Sequence, residues 1–156
     1  MNDRREAMKK IKLLMLAVLL SGCKAETSQL QESVCTLNEN GVAITTIFEH
    51  DNEYIKTQKN VNVVQLDMSR VSIDELAATA EIAANVYSTI KGVEYSYEID
   101  EQFFTETLFI DFETASIQEL SSVGIVRNAD ETTTQIKISE TLTKNREMGL
   151  DCTTEE

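Results

Sequence analysis

Residues 72–99 read SIDELAATAEIAANVYSTIKGVEYSYEI, and the period of this stretch changes midway along it. Ser72-Ile73-Asp74-Glu75 has the form of a capping box, in which the serine hydroxyl accepts the N3 amide and the glutamate reaches back to the cap. Leu76, Ala80, Ala83, Tyr87 and Ile90 then recur at helical spacing, and Gly92 supplies a left-handed stop, so the pattern predicts a helix over 72–91. The small alanine face of that helix suits close packing on a sheet. Beyond Gly92, Val93, Tyr95, Tyr97 and Ile99 alternate with Glu94, Ser96, Glu98 and Asp100, which is a strand with one buried and one wet face.

Upstream, residues 34–37 form a short β-run, and Asn40-Gly41 supplies the two positive-φ positions of a type I′ hairpin turn. Residues 42–48 alternate, with Val42, Ile44, Thr46 and Phe48 on one face. His50-Asp51-Asn52-Glu53 marks a second turn, and residues 54–68 make a third run in which Val61, Val63 and Val64 carry β-propensity. Downstream, Asp100-Glu101-Gln102 turns the chain and 104–112 returns with Leu108, Ile110 and Phe112 in register. Ser116-Ile117-Gln118-Glu119 is a second capping box, opening a short helix to about Val123 with Gly124 as its end. Residues 128–134 are polar and read as a loop; 139–148 reads as a last short helix stopped by Gly149. The order βββ-α-ββ-α-α predicts an α+β fold, an antiparallel sheet of about five strands with helices on one face.

The N-terminal segment has a different character. Lys9, Lys10 and Lys12 precede an unbroken apolar run of eight residues, 13–20 (LLMLAVLL). That is far short of the ~20 residues of a membrane-spanning helix, and it fits the core of a signal peptide. Leu20-Ser21-Gly22-Cys23 follows at once and resembles the lipobox of bacterial lipoproteins. The resemblance implies diacylglycerol transfer to the Cys23 thiol, cleavage between Gly22 and Cys23, and a palmitate-type lipid anchor on the extracytoplasmic side of the cell membrane. Small residues at the cut let the peptidase approach the backbone. The plainer alternative, a buried N-terminal helix with an incidental cysteine, needs the basic prefix, the core length and the Cys23 position to coincide. Residues 1–7 (MNDRREA) make an awkward, partly acidic prefix, so Met8 is the expected initiator rather than Met1. Residues 1–22 thus read as signal peptide, 23–33 as lipidated cysteine and polar tether, and 34–156 as one domain.

Charge narrows the partners. Five of the 14 basic and two of the 27 acidic residues precede Cys23, which leaves nine against 25 and a net charge of −16 from there on. Such a domain repels nucleic acid and anionic headgroups. The plain reading is a solvated, self-repelling surface; the sharper one is a docking face for a cationic peptide, another envelope protein or divalent ions.

Several segments together resemble the YehR-like bacterial lipoproteins, a family of unknown function. They are the lipobox, Cys35-Thr36-Leu37-Asn38-Glu39-Asn40-Gly41, Tyr54-Ile55-Lys56-Thr57-Gln58, Lys91-Gly92-Val93, and Asp111-Phe112 before the second capping box. The resemblance implies one compact α+β domain on a lipid tether and carries over no activity and no catalytic residue.

With Cys23 lipidated, Cys35 and Cys152 remain outside the cytosol, where a structural disulfide tying the two ends of the domain is the first expectation. Two free, buried thiols are the alternative; a redox-active pair lacks the Cys-x-x-Cys arrangement. His50 is the only histidine and is expected as a solvated turn residue, unable to hold a transition metal alone. Carboxylate pairs such as Glu98/Asp100 and Asp130/Glu131 arise by chance in so acidic a chain, and no EF-hand spacing is present, which leaves weak surface calcium as the sharper reading. Tyr95, Tyr97, Phe103, Phe104, Phe109 and Phe112 read as sheet core or, alternatively, as one wall of a ligand groove. No catalytic set, cofactor motif or metal cluster is expected. The function expected is therefore a non-enzymatic binding domain at the cell envelope. The alternative is a small-ligand or ion-binding lipoprotein associated with a transporter, which a pocket between the aromatic hairpin and the alanine-rich helix would favour; an enzyme comes third.

Overall fold

Asn40 (φ 53°) and Gly41 (φ 77°) both take the left-handed conformation that a two-residue type I′ turn requires, and they join β1 (Gln31–Glu39) to β2 (Val42–His50). In the computed structural model, residues 30–68, 71–127 and 129–155 are described; the expected signal segment and Cys23 lie outside them. β3 (Ile55–Gln65) returns beside β2, and β4 (Val93–Ile99) and β5 (Phe103–Asp111) form a second hairpin that docks on β3. The sheet order is β4-β5-β3-β2-β1-β6, every pairing antiparallel.

The α+β fold is the one expected, with six strands rather than about five. The addition, β6 (Asp151–Glu155), carries one buried side chain, Cys152, among polar neighbours, so no hydrophobic alternation marks it. It is a strand because the outer edge of β1 offers a free ladder of backbone groups, and because Cys152 lies directly opposite Cys35. The two form a disulfide with S–S 1.99 Å.

Other boundaries shift for local reasons. β1 starts at Gln31, inside the segment expected to be tether, because Ser33 packs fully buried between β2 and β6. The third strand is 55–65 rather than 54–68. The serine half of the first capping box forms, with Ser72 Oγ accepting from Glu75 N at 3.2 Å, and opens α1 (Ile73–Tyr87). α1 stops four residues short of 91 because the Ser88 and Thr89 hydroxyls donate to the carbonyls of Asn85 and Val86, competing with the next helical turn. Gly92 therefore turns the chain into β4 instead of ending the helix. The second box likewise forms its serine half (Glu119 N to Ser116 Oγ, 3.4 Å) and opens α2 (Ile117–Ser122); α3 spans Ile138–Glu147.

The helices share one face of the sheet. Cys35, Phe48, Ile55, Ile138, Leu142 and Cys152 pack beneath α3. Ile90, Val93, Ile110, Ala115, Ile117 and Leu120 form a second cluster around α2, and Phe112 and Ile136 touch both. α1 is only lightly seated: Ala80 alone is buried, and Ile82 stays 66% exposed. Among the described residues, no helix is long and apolar enough to cross a membrane.

Candidate functional site

The central strand β3 carries three carboxamides on its helix side. Its register places Gln58, Asn60 and Asn62 opposite Phe48, Thr46 and Ile44 of β2 and opposite Ile110, Leu108 and Glu106 of β5, on the helix side. Val61 and Val63 point to the helix-free side, beside Thr45, Ala43, Thr107 and Thr105. A carboxamide facing the core costs free energy unless it is hydrogen-bonded or wet. Asn62 is paired: its Nδ2 donates to Glu106 Oε1 at 2.8 Å, and the Tyr95 hydroxyl donates to Glu106 Oε2 at 2.8 Å. Burial, then the bond to Glu106, pushes the Tyr95 hydroxyl well above the ordinary tyrosine range. The Tyr87 ring meets Tyr95 edge-on at 5.4 Å.

Gln58 Nε2 donates to Asn60 Oδ1 at 3.1 Å, and above this pair the helical layer parts. The gap is a groove of about 920 Å³ with Thr46, Gln58 and Asn60 on its floor. Tyr54, Phe112, Ile125, Val126 and Ile136 line its walls, and Arg127, Lys137, Glu140, Lys144 and Glu147 stand around it. Its volume is at the upper end of ordinary ligand sites, roughly 300–1,000 Å³. One wall is α3; the other is the segment after α2, which backbone and side-chain bonds hold in place. Ile55 N donates to Ile136 O at 2.9 Å, and Gln118 Nε2 to Thr133 O at 3.0 Å. Asp130 accepts from the Thr132 and Thr133 hydroxyls and from Thr132 N, which holds its carboxyl below the usual range. Lys137 Nζ lies 3.4 Å from Glu140 Oε1, whereas Arg127 and Lys144 have no carboxylate within ion-pair distance among the described residues.

His50 is not the solvated turn residue expected. A register shift at Glu49/His50 turns it inward, leaving it 3% exposed. Its Nε2 is 2.9 Å from Ser33 Oγ, which lies 2.9 Å from Thr154 Oγ1, and its Nδ1 accepts from Asn52 N at 3.4 Å. Because Nδ1 accepts, Nε2 carries the proton and donates to Ser33. That is the reverse of a base activating a nucleophile, and Ser33 is closed to solvent. The chain of bonds ties β2 to β1 and β6. Burial pulls the imidazole pKa down, partly opposed by the nearby Asp51 carboxylate. Asp51 itself accepts from Tyr54 N, binds Lys56 Nζ at 2.9 Å and accepts from Glu53 N; the Tyr54 bond leads in lowering its pKa to about 2.

The remaining candidates separate. Tyr97 and Phe104 stack at 6.2 Å on the helix side, while Phe103 and Phe109 alternate onto the opposite face, so of the six aromatics only Phe112 lines the groove. Asp100 does not pair with Glu98: it sits in the turn, accepting from Gln102 N and Phe103 N, which lower its pKa. Among the described residues no three His, Cys, Asp or Glu side chains are placed to hold a metal ion. Gly22 and Cys23 lie outside the described residues. Gln58, Asn60, Arg127 and Lys144 belong to no site motif of the sequence; the signal for the first two is carboxamides at 58, 60 and 62, alternate positions of a strand otherwise marked by valine.

These features define a class: a small α+β domain with a six-stranded antiparallel sheet, helices on one face, and a polar-floored groove between them. The family described as "Protein of unknown function (DUF1307)" matches residues 32–151, and the chain belongs to it. The fold is similar to the NMR structure of the YehR protein of E. coli, at 19% identity over 83% of this chain and 95% of that one, with a TM-score of 0.67. It is also similar to the NMR structure of a protein from Streptococcus pneumoniae TIGR4, at 11% identity over 88% and 93% of the two chains, with a TM-score of 0.58. At such identities the likeness is one of fold. No curated protein matches the sequence.

Proposed function

We propose that the protein is a lipoprotein held at the extracytoplasmic face of the cell membrane by a lipid on Cys23, and that its domain binds a ligand rather than catalysing a reaction. The ligand sits in the groove over Gln58 and Asn60. The observation that carries this is the polar helix-side face of β3: placing Gln58 and Asn60 toward the core, with half-buried Val61 and Val63 on the helix-free face, gives up hydrophobic burial, which a binding floor explains. The anchor rests on the basic prefix, the short apolar core and Leu20-Ser21-Gly22-Cys23. Seven residues separate Cys23 from β1, so the tether reaches at most about 25 Å when extended. Binding is favoured over catalysis because the one histidine is sealed and donates to its serine neighbour. The size of the groove favours a small ligand or a short segment over a broad protein interface.

Two measurements test this. Cells labelled with radioactive palmitate should yield a labelled, membrane-pelleting protein, and Cys23→Ala should lose both properties; label retained on the variant refutes the anchor. A photo-crosslinking residue at Thr133, in the groove, should capture an adduct in intact cells that the same residue at Thr107, on the helix-free face, does not. Equal adducts at both positions, or none at Thr133, refute the groove.

A further inference from the structure

We infer that the groove is built for a short peptide with a free C-terminal carboxylate, an inference that rests on the reading of the groove as the binding site. Charge is the first argument. From Cys23 onward the chain holds nine basic and 25 acidic residues, yet three of the nine, Arg127, Lys137 and Lys144, line this one groove with only two of the 25, Glu140 and Glu147. Lys137 is paired with Glu140, while Arg127 and Lys144 have no carboxylate within ion-pair distance among the described residues; with Glu147 counted, the groove keeps one net positive charge. The acidic remainder of the surface does not cancel them, because its field is screened over about 8 Å at physiological salt.

The floor supplies the second argument. With Gln58 Nε2 donating to Asn60 Oδ1, Gln58 Oε1 and Asn60 Nδ2 have no partner among the described residues, so an acceptor and a donor stand side by side in the groove. Their residues are two positions apart on one strand, and the 3.1 Å bond draws the two amide heads together. An extended peptide offers both N–H and C=O groups along one edge, the complementary donor and acceptor. Thr46, opposite Asn60 in β2, adds a hydroxyl, and Tyr54, Phe112 and Ile136 give apolar walls for small side chains. A neutral sugar would meet the floor and leave the cations unused; inorganic phosphate would meet the cations and leave the carboxamides unmatched.

The test uses the full chain in detergent micelles, titrated with tri-alanine and with its C-terminal amide by calorimetry and NMR. A carboxylate bonded to a cationic side chain should make the free acid bind about tenfold or more tighter than the amide. The side-chain amide signals of Gln58 and Asn60 should shift on binding. Arg127→Gln with Lys144→Gln should bring the acid down to the level of the amide and leave the amide unchanged; Gln58→Leu should weaken both. A longer peptide with the same C-terminal residues that binds equally well identifies a protein tail as the natural source, and a preference for tri-alanine identifies free oligopeptide. Equal binding of acid and amide, no binding of tri-alanine, or tighter binding of maltose or inorganic phosphate at the same residues overturns the inference. If Thr133 still yields its crosslink in that event, the groove stands as the site and only the ligand class is wrong.

Discussion

Replacing Cys35 and Cys152 together by alanine removes a crosslink that spans 117 residues of sequence. In the chain-entropy description, closing a loop of n residues withdraws about 2.1 + 1.5R ln n cal/mol/K from the unfolded ensemble. For n of 117 this is about 16 cal/mol/K, or about 5 kcal/mol at 25 °C. Measured losses run nearer to about 2–5 kcal/mol, and a whole domain is stable by only about 5–15 kcal/mol, so the double variant should be marginal. The native side adds to the loss, because both sulfurs are buried against Phe48, Ile138 and Leu142. Urea titration of the protein and the variant, followed by far-ultraviolet circular dichroism, measures it. A stability loss of about 3–5 kcal/mol is expected, with a steeper m value because the uncrosslinked unfolded chain exposes more surface. Hydrogen exchange should show β6 losing protection first, since Cys152 is its only buried side chain. A loss below about 1 kcal/mol, or β6 amides as protected as those of β3, would refute the view that the bridge limits the unfolded chain and holds the edge strand.

Three further outcomes follow from other parts of the fold. His50 has a lowered folded-state pKa, so stability should be full above pH 6.5 and fall as pH drops below it, with Asp51 adding a second loss between pH 3.8 and about 2; unfolding free energies against pH should lose the upper step in His50→Gln. Gly41→Ala should cost about 1–2 kcal/mol in thermal or urea unfolding, because φ is 77° and the new Cβ would stand 2.8 Å from Met68 Cβ. Leu120→Ala, at a fully buried position of the α2 cluster, should cost about 2–5 kcal/mol, with a smaller loss if neighbouring side chains of the cluster relax into the space.

What could be read from the sequence is what local chemistry decides. The Asn40-Gly41 turn and the serine caps at Ser72 and Ser116 form where the residues place them, because each needs only its own few neighbours. The alternation of Val93, Tyr95, Tyr97 and Ile99 with charged and polar residues likewise gave β4 to within a residue. β6 was not legible, since Asp151, Thr153, Thr154 and Glu155 have no apolar partner face; their strand state comes from β1 and the disulfide, far away in sequence. His50 misled for a related reason, as one irregular step at Glu49 decides which way its ring points. The groove draws on residues from Thr46 to Met148, and only the fold brings them together. The carboxamides of β3 are its one trace in the linear text, and they are easily passed over beside Val61, Val63 and Val64.

Because β1 and β6 run antiparallel at one side of the sheet, the chain enters and leaves the domain at the same end, with Glu32 beside Glu155. Whatever surface holds residues before Gln31 therefore also has the C-terminus next to it, and the Asn40-Gly41 turn is the far tip, about 30 Å away along β1. Tension applied between the two ends would peel the strands apart one residue pair at a time, starting from Glu32/Glu155. It would pass Ser33/Thr154 and Val34/Thr153 and then meet the covalent bond at Cys35/Cys152. Past that stop the force runs through the sulfurs, and the enclosed sheet, helices and groove are mechanically insulated from any pull on the two ends.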